Sequence, residues 1–117
     1  MNASNQKSIN QEKSQAINRA LIIDLLRQQG VCSRATLAHL SGLKQATITN
    51  LIAECIASGL VVETGLMSGS KGRRSIGITL NEEHCHVIGI RMTRSAFYLC
   101  LAGLSGKPHR IQEYPIA

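Results

Sequence analysis

The chain has 117 residues, 44% of them hydrophobic, and a net charge of +6. This length gives one ordinary domain or two very small ones, and a basic domain of this size favours an anionic partner, most often nucleic acid. The polar N-terminus shows no signal-peptide pattern, and no apolar run approaches the roughly 20 residues of a membrane helix. We therefore expect a cytoplasmic protein with no membrane insertion.

The first elements are predicted from polar and apolar spacing. Residues 1–13 are polar and predict a flexible N-terminal arm. Ser14 can cap a first helix that ends near Gln29. A second, shorter helix begins after Ser33 and ends at Gly42.

A third helix is predicted for residues 45–58. Its apolar residues recur at helical spacing and are Ile48, Leu51, Ile52, Cys55 and Ile56. A short strand at 60–63, a glycine-rich loop at 65–72 and a return strand at 73–80 follow. This order of three helices and a two-stranded hairpin predicts a winged helix, which we assign to residues 14–81.

Residues 82–117 predict a second unit made of strands, so that the two units together give an α+β chain. Apolar strands at 87–92, 97–101 and 110–116, separated by turns, form a three-stranded antiparallel meander. About 30 residues are too few to bury a good core alone. We therefore expect the start of a domain truncated after residue 117, or an interface element.

Residues 34–51 have the organisation of a helix-turn-helix. Ala38 is small where the two helices would cross, Gly42 permits the tight turn, and Ile48 would fill the core between the helices. Such a pair presents its second helix to the major groove of DNA. A plain helical bundle in which these spacings arise by chance is the alternative.

The charge pattern supports DNA contact, because no acidic residue lies between Asp24 and Glu54 whereas a solvated surface normally mixes both signs. The predicted contacts on the second and third helices are Ser33, Arg34, Lys44, Gln45, Ala46, Thr47, Thr49 and Asn50. The first two would hold phosphates, the amides would read adenine, and threonine methyl groups would pack on thymine. Ordinary solvent exposure is the alternative for each polar side chain.

The loop of the hairpin is the second candidate contact. Lys71, Gly72, Arg73 and Arg74 place positive charge among small residues, and cationic side chains of a wing can enter an A·T-rich minor groove. A solubilising hairpin tip is the alternative. A nucleotide-phosphate loop is not predicted, because the spacing differs and no helix follows.

No cofactor, metal or catalytic site is predicted. The four cysteines include no C-x-x-C pair. His84, Cys85 and His86 could offer metal ligands, but no further ligand is evident nearby, and an ordinary turn between units is the preferred interpretation. No nucleophile-and-base arrangement and no pair of carboxylates can be argued, so we expect no enzyme.

Several segments resemble the N-terminal part of ROK-family (repressor, ORF, kinase) transcriptional regulators, and look most like the amino-sugar and glucose repressors of that family. The segments are GVCSRA at 30–35, ATIT at 46–49, GRR at 72–74 and VIGIR at 87–91. The resemblance implies a winged helix followed by the first strands of a sugar-kinase-like (actin-like ATPase) domain. It also implies that the sugar effector site, and the contacts that form a homodimer or higher oligomer, lie in a part of the protein absent from this chain.

The sequence departs from the family pattern at two places. Residues 91–95 stand where the kinase branch has an Asp-x-Gly-x-Thr-like phosphate motif, and they lack its acid and its glycine. This departure argues against ATP binding. Lys44 stands where such regulators often have a small polar residue, which weakens the start of the third helix.

The leading hypothesis is a sequence-specific regulator, expected to be a repressor, of sugar or amino-sugar uptake and catabolism genes. It would bind double-stranded DNA in the bacterial nucleoid. The alternative is an interaction fragment that associates with a full-length relative through its exposed meander. The apolar, edge-bearing strands over 87–101 motivate that alternative.

Overall fold

The computed structural model describes residues 2–68 and 74–117. Over these residues the chain is α+β, as predicted, with three helices and two three-stranded antiparallel sheets. The elements in chain order are α1 (Ala3–Gln29), β1 (Val31–Cys32), α2 (Arg34–Ser41), α3 (Gln45–Ala57), β2 (Val61–Ser68), β3 (Arg74–Leu80), β4 (Val87–Met92), β5 (Ala96–Ala102) and β6 (Pro108–Pro115).

Helix α1 begins much earlier than predicted. It starts at Ala3 with Asn2 as its N-cap residue, so the start predicted at Ser14 was wrong and residues 3–13 are helical. The reason is that this polar stretch contains no glycine or proline to stop a helix. The end is as predicted, because Gly30 has φ 83° and its N–H donates to the carbonyl of Leu26 at 2.8 Å.

The first sheet has the order β1-β3-β2 and differs from prediction in two ways. Strand β1 was not predicted, since it is two residues long and is held by its partners Ile78 and Thr79 on β3. Strand β2 continues to Ser68, although a loop was predicted to begin at residue 65. The pairing register of β2 with β3 is irregular between Glu63 and Leu66. Residues 65–68 are therefore part of the hairpin.

One hydrophobic core joins the helices to this sheet. Every helix and each strand of the first sheet contributes side chains to it. The fully buried ones are Ile22, Leu26, Leu37, Ile48, Ile52, Cys55, Val61 and Ile78. The core fixes α2 and α3 against α1 and β3, so it determines which side chains of the two short helices face outward. We call α1 through β3 the N-terminal unit.

The second sheet has the order β4-β5-β6, which confirms the predicted meander. Opposed residues share a face, and Ile88, Ile90 and Met92 lie opposite Leu101, Leu99 and Phe97. On β4 and β5 this face is apolar, with Met92 77% and Ile90 67% exposed, whereas β6 adds the polar Arg110 and Gln112. No helix in the described part of the chain is long and apolar enough to cross a membrane.

Candidate nucleic-acid interface

The N-terminus of α2 is fixed by its capping residue. Ser33 adopts extended backbone, and its Oγ accepts the N–H of Thr36 at 3.1 Å. The same hydroxyl donates to Thr36 Oγ1 at 2.9 Å. Because the single hydroxyl proton of Ser33 is donated to Thr36, this side chain serves first to position the helix, and a phosphate oxygen could accept that proton only by sharing or replacing this bond.

The turn between α2 and α3 is also defined by local interactions. Gly42 has φ 72° in the left-handed region, and its N–H donates to the carbonyl of Ala38 at 3.0 Å. The next amide, of Leu43, donates to Ser41 Oγ at 3.1 Å. Lys44 then supplies the extended N-cap of α3 without a side-chain cap. The helix nevertheless begins at Gln45, as predicted.

Helix α3 has one buried and one exposed face. Ile48, Leu51, Ile52 and Cys55 are buried in the core. Of the predicted contacts on this helix, Thr47 is half-buried, and the others are exposed, namely Gln45, Ala46, Thr49 and Asn50. The exposed set contains amides, a methyl group and a hydroxyl but no charge. Since the helix carries no lysine or arginine, it offers hydrogen bonds and apolar contacts rather than salt links.

Thr49 is further specified by a backbone hydrogen bond. Its Oγ1 donates to the carbonyl of Gln45 at 3.0 Å. The hydroxyl proton is therefore used within the helix, and toward a ligand the side chain offers a methyl group and an acceptor oxygen. Neighbouring Asn50 is exposed and makes no side-chain hydrogen bond among the described residues, so its amide is available for a ligand.

The predicted phosphate ligand Arg34 has a partner that sequence reasoning missed. Its guanidinium donates to Glu63 Oε1 at 2.8 Å, which ties the first turn of α2 to β2. Arg34 is 26% exposed at the side chain. The pair is separated by 29 residues in sequence, and no local pattern signals it. Arg34 retains other N–H donors, so it can both hold β2 and meet an anion.

A groove runs between the start of α2 and the end of the β2–β3 hairpin at which Ser68 pairs with Arg74. It has a volume of about 320 Å³ and is lined by Ser33, Arg34, Ala35, Arg74, Ser75 and Ile76. The structure thus brings together three predicted contacts, Ser33, Arg34 and Arg74. Two of them are cations, and Ser75 adds a hydroxyl that sequence reasoning did not select. Lys71, Gly72 and Arg73 lie outside the described residues.

The segment containing His84, Cys85 and His86 is a turn between the two sheets. No group of three or more histidine, cysteine or acidic side chains within 2–68 and 74–117 could hold a metal ion. The ring of His86 lies edge-on to that of His109, with centroids 5.7 Å apart. Burial raises the pKa of Cys32 and of Cys55, which keeps both as inert thiols of the core.

Comparison with known proteins identifies the relatives of this chain. No protein-family model matches it. It is 32% identical over 100 residues to the DNA-binding transcriptional dual regulator NagC of Escherichia coli K12, a match that covers 86% of this chain and 25% of NagC. It is 32% identical over 91 residues to the DNA-binding transcriptional repressor Mlc of the same strain, covering 77% of the chain and 22% of Mlc. The xylose repressor of Caldicellulosiruptor bescii is 30% identical over 91 residues, covering 78% of the chain and 23% of that protein.

A solved structure agrees with these sequence matches. It is a ROK-family transcriptional regulator described as a homologue of the Escherichia coli Mlc protein. It matches with a TM-score of 0.64 and 28% identity, over 87% of this chain and 26% of its own. The chain is therefore a homologue of ROK-family transcriptional regulators, as its motifs indicated. It spans about a quarter of the length of the relatives it matches.

Proposed function

We propose that this chain is the DNA-binding part of a transcriptional repressor of sugar or amino-sugar genes, and that it is not an enzyme. The N-terminal unit acts as a winged helix-turn-helix, with α2 and α3 as the helix pair and the β2–β3 hairpin as the wing. The observation that carries this proposal is the uncharged, exposed surface of the first turns of α3, from Gln45 to Asn50, beside a groove lined by Arg34 and Arg74. The names of two relatives, a DNA-binding transcriptional dual regulator and a DNA-binding transcriptional repressor, support it.

The face of α3 suits the base edges of A·T pairs. Asparagine and glutamine amides form two hydrogen bonds with adenine, and alanine or threonine methyl groups pack on the thymine methyl group. Gln45 and Asn50 supply the amides, and Ala46 and Thr49 supply methyl groups. Guanine is read chiefly by arginine or lysine, neither of which occurs on α3. We therefore expect a half-site rich in A·T pairs where α3 lies.

The phosphate contacts come from outside α3. Arg74 lies opposite Ser68 at the loop end of the β2–β3 hairpin, and Lys44 stands at the N-cap of α3 and is exposed. Lys71 and Arg73 add positive charge to the sequence of the wing. Each phosphate that the protein neutralises contributes about 0.9 to the slope of log affinity against log salt concentration. Non-specific affinity therefore depends on these cations, and base discrimination depends on α3.

The decisive experiment is a fluorescence-anisotropy titration of the whole chain against duplexes with A·T-rich half-sites and against scrambled duplexes, at several salt concentrations. Asn50→Ala should lose about 1–3 kcal/mol on the preferred duplex and little on the scrambled one. Asn10→Ala, an exposed asparagine on α1, is the matched control and should change neither. An equal loss on both duplexes would show that Asn50 does not read a base.

The cationic contacts have a separate signature. Arg74→Ala should weaken binding to both duplexes alike and reduce the salt slope by about 0.9. Arg94→Ala removes an exposed arginine from the β4–β5 turn and is the matched control. If the two variants have the same affinity and slope, the groove beside α2 is not the phosphate site. The double variant Arg73→Ala/Arg74→Ala tests the wing as a whole.

The whole protein would work as a dimer or higher oligomer on a two-fold operator, because one helix reads too few bases for useful selectivity. Its sugar effector site would lie in the part of the protein that this chain does not include. A chain extended to the length of its relatives should bind a two-fold duplex more tightly than a half-site and release it when the effector sugar is added. Equal affinity for one and two half-sites would argue against this assembly.

A second candidate function rests on the apolar face of the second sheet. Ile88, Ile90 and Met92 are exposed on that face, and a fragment could use them to associate with a full-length relative. Size-exclusion chromatography with light scattering should then show association, and Ile90→Ser should abolish it. Ile17→Ser on α1, an equally exposed isoleucine, is the control. A monomer at all concentrations, alone and mixed with the relative, would exclude this function.

A further inference from the structure

The turn between β5 and β6 lies against the N-terminal unit. This turn spans residues 103–107, and its Leu104 is half-buried and packs against the hydrophobic core of the N-terminal unit. Ala102 and Gly103, at the end of β5, are buried as well. The second sheet therefore touches the same core that positions α2 and α3.

Glu82 completes this contact from the segment that follows β3. Its Oε1 accepts the N–H of Ser105 at 3.0 Å, across 23 residues of sequence. Its carboxylate occupies the space that a side chain at Gly103 would need, since Cδ of Glu82 is 2.9 Å from the position of a Cβ there. In many turns an aspartate or asparagine accepts the amide two residues later. Here position 103 has no side chain, and Glu82 provides that acceptor from another element.

The same connecting segment is also fixed to the turn between α3 and β2. The N–H of Asn81 donates to the carbonyl of Leu60 at 2.9 Å. The ring of His84 lies over Gly59, with its Nδ1 2.7 Å from the position of a Cβ there. Gly59 has φ 81°, so its backbone also favours glycine. Residues 81–84 are thus held by the α3–β2 turn on one side and hold the β5–β6 turn on the other.

We infer that Glu82 and Leu104 clamp the second sheet to the N-terminal unit, so that the two move as one body. Glu82 is a positioning residue: it contacts no part of the DNA-facing surface, but it fixes the orientation of the sheet relative to the core behind α3. A displacement of the sheet would reach the core through Leu104. The clamp itself follows from contacts within the chain, and only its consequence for DNA rests on the proposed function.

The test is ¹⁵N relaxation of the whole chain, which reports the rotational tumbling of each unit separately. In the wild type, amides of α1–α3 and of β4–β6 should share one tumbling time. Glu82→Ala and Leu104→Ala should each give the second sheet a shorter tumbling time than the helices. Glu83→Ala, an exposed acid next to Glu82, is the matched control and should keep one tumbling time. Separate tumbling in the wild type, or one shared time in both clamp variants, would overturn the inference.

Hydrogen exchange gives a second readout that does not depend on tumbling. The Ser105 amide should exchange roughly ten- to hundredfold faster in Glu82→Ala, because it loses its hydrogen bond to the side-chain oxygen of Glu82. Glu82→Gln keeps an acceptor oxygen and should restore most of the protection. Unchanged exchange in Glu82→Ala would refute the role of this side chain. DNA binding by the wild type is measured in parallel, so that a failure of the clamp and a failure of the proposed function give different results.

Discussion

Ile48 offers the sharpest test of how the core positions α3. Its side chain is fully buried, in a cluster with Leu37 of α2 and Ile22 of α1. Ile48→Ala removes three carbons, which at about 0.8 kcal/mol for each buried group gives about 2.4 kcal/mol of lost transfer free energy. The cavity that remains adds to this cost. We expect the free energy of unfolding to fall by about 3–4 kcal/mol, within the usual range for such a change.

The assay is urea denaturation followed by circular dichroism, with Ile56→Ala as the matched control. Ile56 lies on the same helix but is 37% exposed, and the chemical change is identical. The control should lose clearly less stability than Ile48→Ala. If the alanine variant does not fold, Ile48→Val should cost about 1 kcal/mol. Equal losses for Ile48→Ala and Ile56→Ala would refute the assignment of Ile48 to the packed side of α3.

Two further predictions concern individual hydrogen bonds. Ser33→Ala removes the cap of the Thr36 amide and should lower the free energy of unfolding, measured by urea denaturation, by about 1 kcal/mol. Ser33→Asp should retain most of that stability. Equal stability of the wild type and Ser33→Ala would show that the cap contributes nothing. The hydrogen bond to Glu113 raises the pKa of Tyr98, since ionisation would bring two negative charges together. The folded state therefore favours the neutral phenol, and this stabilisation is lost as the pH rises through the raised pKa. Glu113→Gln should shift the tyrosinate absorbance of Tyr98 to lower pH. The difference between the wild type and Tyr98→Phe isolates the titration of Tyr98, and a titration that Glu113→Gln leaves unchanged would contradict the assignment.

The helix pair was predictable because its signals are local. Ser33 and Gly42 mark the ends of α2 through a side-chain cap and a left-handed backbone, and both depend on residues within four positions. The buried face of α3 follows from apolar spacing alone, and Ile48 is among the fully buried residues. The three strands of the second sheet were predicted from apolar segments separated by turns, which are local signals as well. In each case, the interactions that fix the element lie within it or next to it.

The features that were missed depend on residues distant in sequence. Strand β1 exists because β3 offers partners nearly 50 positions later, as in the bond from Thr79 Oγ1 to the carbonyl of Gly30 at 2.8 Å. The ion pair of Arg34 with Glu63 has the same origin. The early start of α1 is different, because composition alone does not separate a polar helix from a polar arm. The signal available there was the absence of glycine and proline.

The separation of charge from the face of α3 has a consequence for selectivity. Cations that meet phosphates raise affinity for every sequence alike, whereas amide and methyl groups on α3 gain free energy only on matching bases. On the proposed function, α3 would contribute little to non-specific binding, because its exposed residues from Gln45 to Asn50 carry no charge, and each matched contact would add directly to discrimination. The same arrangement would give a single copy only a few base contacts, and hence a modest affinity at physiological salt. Occupancy of an operator would then depend on a second copy, and on how firmly Glu82 and Leu104 join the DNA-binding unit to whatever brings the copies together.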